Sequence, residues 1–167
     1  MFVHDNNITE LFMKCNKHVH DLNEWFLANK LSLNVSKTCY TLFDPHVKRG
    51  TLNSTLKLFI DGAEIQQVNC CKYLGVFIDD HLSWSDHISY VYKKIVKFTG
   101  IFYKIRNKMP NDCLKNVYYA LVYPHLLYGI ELYANTNKCN LDKLIILNNK
   151  ILRILQRKSL HTNVISL

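Results

Sequence analysis

The segment YLGVFIDDHLSW (Tyr73–Trp84) marks the point at which a strand-forming half of the chain gives way to a helix-forming half. The β-branched and aromatic residues of Lys72–Ile78 predict a strand, in which Gly75 indicates a bulge or a close approach of backbone. After the final tryptophan of the segment, apolar residues recur every three or four positions, which predicts a helix that Ser85 can cap. We therefore expect a domain boundary near Asp80.

Upstream of this segment, the sequence predicts one long helix followed by short strands. Asn7 and Glu10 form a capping pair that opens the helix, and an apolar stripe at spacings of three and four continues it to about Lys30. A strand is expected over Thr38–Phe43. The Pro, Gly, Asn and Ser residues of Asp44–Thr55 predict a loop.

A hairpin is the next predicted element, because Asp61-Gly62 is a strong signal for a two-residue turn. Its strands are expected over Leu56–Ile60 and Glu64–Val68. Together with the strand over Lys72–Ile78, they would form a small antiparallel sheet.

Downstream of the boundary, four helical pieces are predicted. The first has an apolar face made of Ile88, Val91, Ile95, Phe98, Phe102 and Ile105. Pro110 is suited to the first turn of the next helix, a third piece follows Pro124, and Asn140 caps the last. The predicted fold class is α+β, with an N-terminal helix and small antiparallel sheet over residues 1–80 and an all-helical bundle over residues 81–167.

The two halves of the chain differ in charge. Residues 1–80 contain eight Lys and Arg against nine Asp and Glu, whereas residues 81–167 contain 13 against four, a net charge of +9. A basic helical half attached to a nearly neutral half predicts a polyanionic partner. This charge distribution favours a nucleic acid over a membrane surface. A solvated basic surface without such a partner is the alternative.

The cysteines and the apolar segments indicate an intracellular protein, nuclear or cytoplasmic. None of the six cysteines forms a CxxC pair, and no signal peptide opens the sequence. The longest apolar run, Tyr118–Ala134, is interrupted by Pro124 and His125, so we expect a buried helix and no membrane span. No Cys or His pair has the spacing of a zinc site, and no metal ligand is predicted.

Three blocks of the sequence resemble one family. They are DLNEWFLANKLSLNVSKT (Asp21–Thr38), KYLGVFIDDHLSWSDHI (Lys72–Ile88) and LVYPHLLYGIELYA (Leu121–Ala134). In order and spacing they resemble the end of the palm and the thumb of reverse transcriptases from non-LTR retrotransposons, the LINE-like and jockey-like elements. The resemblance implies a palm remnant with a primer-grip-like hairpin, followed by a thumb-like helical region.

The stretch FIDD (Phe77–Asp80) has the aromatic-x-Asp-Asp form of the box in which reverse transcriptases hold two catalytic magnesium ions. The resemblance places that box just before Met1 and aligns Asp79 with a lone Asp of the later block. Two-metal chemistry needs carboxylates that converge from separate segments, whereas Asp79 and Asp80 are neighbours in a turn ahead of a helix. We expect a structural role, with a stability change within about 0.5 kcal/mol when both become Asn.

The resemblance also implies roles for four residues of the first half. Lys37 matches a lysine near the incoming triphosphate, whose proposed role is general acid for the pyrophosphate leaving group. Tyr73, Leu74 and Gly75 match the primer grip, a tight hairpin that supports the primer terminus, where glycine lets backbone approach nucleic acid. An ordinary surface lysine, and core packing of Tyr73 and Leu74, are the alternatives.

Four lysines follow one line on the helix predicted after Trp84. At about 100° per residue, Lys97, Lys104 and Lys108 fall within roughly 60° of Lys93 and apart from the apolar face. Sequence-independent contacts with the phosphates of a template–primer duplex need such a row. A solvated lysine face is the alternative.

Taken together, these observations predict a fragment of an RNA-directed DNA polymerase that contributes binding of an RNA/DNA template–primer duplex. The resemblance implies that the catalytic Asp-Asp box, the fingers and the rest of the palm belong to a longer parent, which uses Mg²⁺. No cofactor is expected in this chain, and the chain alone is expected to be inactive. A non-catalytic nucleic-acid-binding module and a non-functional remnant are the alternatives.

Overall fold

The computed structural model of the protein describes residues 1–43 and 56–159. A helix and short strands come first and a helical part follows, so the predicted α+β fold class is confirmed. The loop predicted over Asp44–Thr55 lies outside the described residues. All six cysteines are described, and none of them forms a disulfide. Among the described residues, no helix has the length and apolar character needed to cross a membrane.

Two compact units divide the chain between Cys71 and Lys72. This division comes earlier than the boundary predicted near Asp80. The reason is that the strand Val76–Asp79 packs against the long helix that follows it, which places the strand with the helices.

The first unit contains the long helix α1 (Ile8–Ala28). It begins as predicted, because the Asn7 side chain accepts a hydrogen bond from the Thr9 N–H at 2.9 Å and so satisfies an amide that has no partner within the helix. Phe12 and Val19, on the apolar stripe of α1, are buried. The helix thus supplies one wall of the core of this unit.

In the described part of the first unit, four two-residue strands accompany α1. They are β1 (Cys39–Tyr40), β2 (Phe59–Ile60), β3 (Ala63–Glu64) and β4 (Gln66–Gln67). The strands β2 and β3 pair antiparallel, with Ile60 opposite Ala63, which confirms the predicted hairpin. Asp61 and Gly62 have φ angles of 48° and 76°, the left-handed conformations that a two-residue turn of this kind requires.

The strand predicted over Glu64–Val68 is divided at Ile65. The Ile65 N–H donates to the Leu58 carbonyl at 2.8 Å, and its side chain is buried in the same core as Phe12. Beyond it, β4 pairs in parallel with β1. The strands therefore form separate two-stranded ladders in place of one antiparallel sheet, because burial of Ile65 turns the chain toward a new partner.

The strand predicted over Lys72–Ile78 is instead a hairpin. The strands β5 (Cys70–Tyr73) and β6 (Val76–Asp79) pair with each other, and only Leu74 and Gly75 connect them. These two residues have φ angles of 44° and 87°. The glycine that predicted a bulge therefore serves a tight turn.

Five helices complete the described part of the second unit. They are α2 (Ser85–Ile105), α3 (Asn111–Leu121), α4 (Tyr123–Leu127), α5 (Ile130–Tyr133) and α6 (Lys138–Leu155). The helix α2 packs along α6. The inward face predicted for α2 is confirmed, with four residues buried and two packed at the edge: Ile88, Val91, Ile95 and Phe102, then Phe98 and Ile105.

Two predicted helix caps are wrong. Ser85 is the first residue of α2, and the N-cap position is held by Trp84, which has a φ of 60°. The helix α6 follows Asn137, so Asn140 lies within it, where its amide donates to the Ser83 carbonyl at 3.5 Å.

Asp79 shapes the turn that leads from β6 into α2. Its side chain is 1% exposed, and its carboxylate accepts hydrogen bonds from the backbone N–H groups of His81 at 3.2 Å, Ser83 at 2.9 Å and Trp84 at 2.8 Å. The structural role predicted for Asp79 is confirmed. The expectation of an exposed side chain is wrong, because a turn position in the sequence does not reveal burial. Since the small effect on stability was expected from exposure, a larger effect is predicted instead.

We expect Asp79→Ala to lower the free energy of unfolding by about 2–4 kcal/mol, since three backbone N–H groups lose a buried, charged acceptor. Asp112→Ala is the matched control, because Asp112 is an exposed carboxylate in the first turn of α3. Its loss should stay below about 1 kcal/mol. Urea unfolding followed by circular dichroism measures both variants, and equally small losses would contradict the role given to Asp79.

Candidate functional site

The tip of the β5–β6 hairpin presents two apolar side chains to solvent. Tyr73 is 59% exposed and Leu74 is 74% exposed, which excludes core packing as the reason for either residue. A leucine in the left-handed region costs roughly 1–2 kcal/mol relative to its ordinary conformations. Exposed apolar surface held in an unfavourable backbone conformation is typical of a binding site.

Tyr128 fixes the backbone of this tip. Its phenol donates a hydrogen bond to the Leu74 carbonyl, and its ring lies against Gly75, where an added Cβ would be 3.2 Å from the ring atom Cε1. The close approach predicted at Gly75 is therefore made by the Tyr128 ring. Any other residue would be strained at this φ and would press its Cβ against the Tyr128 ring.

His87 connects β6 to the helices. It is 1% exposed, its Nδ1 accepts a hydrogen bond from the Phe77 N–H at 3.4 Å, and its ring centroid lies 5.2 Å from that of Tyr133. Burial lowers the pKa of His87, against a smaller opposing effect of the Tyr128 backbone. A neutral ring inside the protein thus holds the hairpin in place beside α2.

The solvent side of α2 carries three exposed lysines of the predicted row: Lys93, Lys97 and Lys104. Lys108 does not belong to this row, because α2 ends at Ile105. The chain turns there, with the Lys108 N–H donating to the Ile105 carbonyl at 2.9 Å, ahead of Pro110, which has no N–H with which to continue a helix. The four-lysine row is corrected to three, and these are called the lysine row below.

Sequence reasoning missed a cluster where the hairpin meets α2. The Lys72 Nζ lies 5.2 Å from the centroid of the Tyr90 ring and 5.6 Å from that of Phe77. The Lys94 Nζ lies 5.3 Å from the same Tyr90 ring. The i, i+4 spacing of Tyr90 and Lys94 could have indicated one pair, but Lys72 reaches the ring only through the fold of the hairpin. These four residues are called the Tyr90 cluster.

Lys37 lies in the first unit, at the end of a 3₁₀ turn over Val35–Lys37. Its side chain is exposed. The general-acid role that the resemblance implies for it stays a prediction.

The carboxylates of FIDD do not fit a magnesium site. Both oxygens of Asp79 accept backbone hydrogen bonds, and the side chain is buried. Across residues 1–43 and 56–159, no three His, Cys, Asp or Glu side chains are grouped so that they could hold a metal ion.

Comparison with known proteins finds similarity to polymerases of mobile elements. The chain is 32% identical over 98 residues to the RNA-directed DNA polymerase from mobile element jockey of Drosophila melanogaster, and 26% identical over 141 residues to that of Drosophila funebris. It is 24% identical over 139 residues to the probable RNA-directed DNA polymerase from transposon X-element of Drosophila melanogaster. These matches cover 56%, 82% and 80% of the chain but only 11%, 15% and 14% of the relatives' own lengths. No family model and no solved structure matches.

We expect Gly75→Ala to lower the free energy of unfolding by about 1–2 kcal/mol, because alanine is strained at this φ and its Cβ meets the Tyr128 ring. Gly100→Ala is the control, since Gly100 lies within α2 and open space surrounds a Cβ built on it. That change should raise the free energy of unfolding by about 0.5–1 kcal/mol. Urea unfolding of both variants should give opposite signs, and a neutral or stabilising Gly75→Ala would contradict the tight turn.

The stability of the protein should fall in acid in two steps. The folded pKa of His87 lies below its ordinary value of 6.5, so the unfolded chain binds this proton more readily and stability falls as the pH drops through 6.5. Burial raises the pKa of Asp79, but the backbone hydrogen bonds from Ser83, Trp84 and His81 outweigh burial and leave it below 3.8. Asp79 therefore contributes its full stabilisation above pH 3.8. This contribution is lost as the pH falls through the lowered pKa of the folded state.

Unfolding measured between about pH 8 and pH 3 tests both steps. His87→Gln keeps an acceptor for the Phe77 N–H and should flatten the profile between about pH 7 and pH 5. A variant profile that keeps the full slope in this range would show that another group is responsible.

Proposed function

We propose that this chain, whose homologues are RNA-directed DNA polymerases of Drosophila non-LTR mobile elements, is the part of such an enzyme that holds the template–primer duplex. The observation that carries the proposal is the division of α2 into two faces. One face is buried in the helical core, and the other presents the lysine row to solvent. A row of ammonium groups on a rigid helix suits sequence-independent contacts with a phosphate backbone.

The hairpin tip supports the primer terminus in this proposal. Tyr73 and Leu74 offer exposed apolar surface against which a base or sugar can pack. Tyr128 and Gly75 hold the backbone of the tip, so the surface does not have to be ordered when the duplex binds. The palm-like hairpin and the thumb-like helices thereby act on one duplex.

The chemistry of nucleotide addition belongs, in this proposal, to other residues of a longer polypeptide. Magnesium ions held by convergent carboxylates would activate the attacking and leaving oxygens, and the acidic residues described above do not fit that task. Lys37 would contribute from the present chain, by donating a proton to the pyrophosphate leaving group.

Binding of an RNA–DNA hybrid across a range of salt concentrations tests the lysine row. In the triple variant Lys93→Gln, Lys97→Gln and Lys104→Gln, the slope of log affinity against log salt should flatten by up to roughly 0.9 for each lost phosphate contact. The charge-matched control changes three exposed lysines of α6 to Gln: Lys138, Lys143 and Lys150. If the triple variant folds and keeps both the affinity and the salt slope of the parent, the lysine row does not contact the duplex.

The purified chain should not extend an RNA-templated DNA primer in the presence of magnesium, because the carboxylates of residues 1–43 and 56–159 do not form a two-metal site. Incorporation of labelled nucleotide, compared with a heat-inactivated sample, measures this. Template-dependent incorporation by the chain alone would contradict the proposal that nucleotide addition depends on other residues of a longer polypeptide.

A further inference from the structure

We propose that the Tyr90 cluster is a phosphate-binding site, with the ammonium groups of Lys72 and Lys94 as its two cationic donors. In the proposed function, that phosphate belongs to the backbone of the bound duplex. The site itself stands on the geometry of the cluster, whereas the source of its phosphate rests on the proposed function.

The two ammonium groups come from different elements and converge on one ring. Lys72 lies on β5 and Lys94 on α2, and both Nζ atoms are within 5.3 Å of the Tyr90 centroid. The Phe77 ring lies 5.0 Å from that of Tyr90, so an aromatic pair forms the base of the cluster. Within residues 1–43 and 56–159, neither lysine forms an ion pair with a carboxylate.

The cluster holds two positive charges that nothing within it neutralises. Each contact of an ammonium group with an aromatic face is favourable, but it leaves the repulsion between the two charges in place. A phosphate oxygen between the ammonium groups would remove that repulsion and accept charge-assisted hydrogen bonds from both. The Tyr90 hydroxyl supplies a third donor.

The pKa of the Tyr90 phenol reports the same positive field. It lies below its ordinary value of 10.0, chiefly through hydrogen bonding with the Lys94 side chain and further through the charge of Lys72. A bound phosphate anion would offset this field and bring the pKa back up. Titration of Tyr90 therefore gives a readout that a purely structural contact between the lysines and the ring would not change.

The position of the cluster suits a phosphate of the same duplex. Lys72 precedes Tyr73 of the hairpin tip, and Lys94 follows Lys93 of the lysine row. In the proposed function, a backbone that contacts both the tip and the row would therefore pass residues next to both lysines of the Tyr90 cluster. If the cluster only joined β5 to α2, its lysines would affect stability without affecting phosphate or duplex binding.

Tyrosine ring NMR of the full chain tests the proposal directly. The Tyr90 signal is assigned with Tyr90→Phe, and the chain is titrated in separate arms with inorganic phosphate and with an RNA–DNA hybrid. We expect a saturable change of the Tyr90 signal in both arms at neutral pH. In the phosphate arm, where the pH can be raised without hydrolysis of RNA, we also expect a higher Tyr90 pKa in the bound state. Lys72→Gln with Lys94→Gln should abolish the response and weaken hybrid binding roughly three- to tenfold.

Two further variants separate binding from folding. Lys143→Gln with Lys150→Gln on α6 removes the same charge and should respond like the parent. Lys72→Arg with Lys94→Arg keeps the cations and should restore the response, and circular dichroism verifies that each variant is folded.

Each outcome of the titrations decides one part of the proposal. A Tyr90 response to phosphate but not to the hybrid supports the site and removes the duplex as the source of its phosphate. A chain that binds no hybrid at all overturns the proposed function, while the phosphate arm still decides the site. A Tyr90 signal that responds in neither arm, or that responds equally after both lysines are changed to Gln, overturns the site.

Discussion

The Asp79 carboxylate makes the contact on which the second unit depends. By accepting the N–H groups of His81, Ser83 and Trp84, it ends β6 and directs the chain into α2. The direction of α2 beside the hairpin, and with it the position of the lysine row relative to the hairpin tip, follows from this turn. A carboxylate whose sequence context suggests a metal ligand is thus committed to backbone hydrogen bonds.

Two side chains beyond this turn keep the hairpin in its place. His87 accepts the Phe77 N–H from within the helical core, and Tyr128 donates to the carbonyl at the tip. Both of these hydrogen bonds are made with backbone groups of the hairpin. They therefore position the hairpin backbone independently of the side chains that the hairpin exposes. This explains how Tyr73 and Leu74 remain at the surface of an otherwise well-packed unit.

The sequence predicted those parts of the fold that depend on local chemistry. The Asn7 cap, the inward face of α2 and the Asp61-Gly62 turn all arise from residues close together in the chain. The Leu74-Gly75 turn could not be read in the same way, because leucine is a poor residue for a left-handed position. Tyr128, distant in the sequence, secures that turn, and no local pattern signals the contact.

In the candidate site, too, local patterns predicted some features, and contacts between distant residues determined the others. Helical periodicity placed Lys93, Lys97 and Lys104 together on the solvent side of α2, but it extended the row to Lys108 because it could not locate the end of the helix. Burial of Asp79 and the convergence of the Tyr90 cluster arise from tertiary packing of the hairpin on α2. Resemblance to a family predicted a site at the hairpin, and the structure shows that the tip is exposed and that Tyr128 contacts its backbone.

Photo-crosslinking from the hairpin tip tests most directly the claim that the tip meets the primer terminus. Tyr73 is replaced by p-benzoylphenylalanine, and the protein is irradiated with an RNA-templated DNA primer. The same amino acid at Ile146, which is 66% exposed on α6, is the control. Crosslinks from position 73 should map to the last few nucleotides at the primer 3′ end and should exceed those from position 146. Crosslinks from position 73 that spread evenly along the hybrid, or that are no stronger than the control, would contradict the claim.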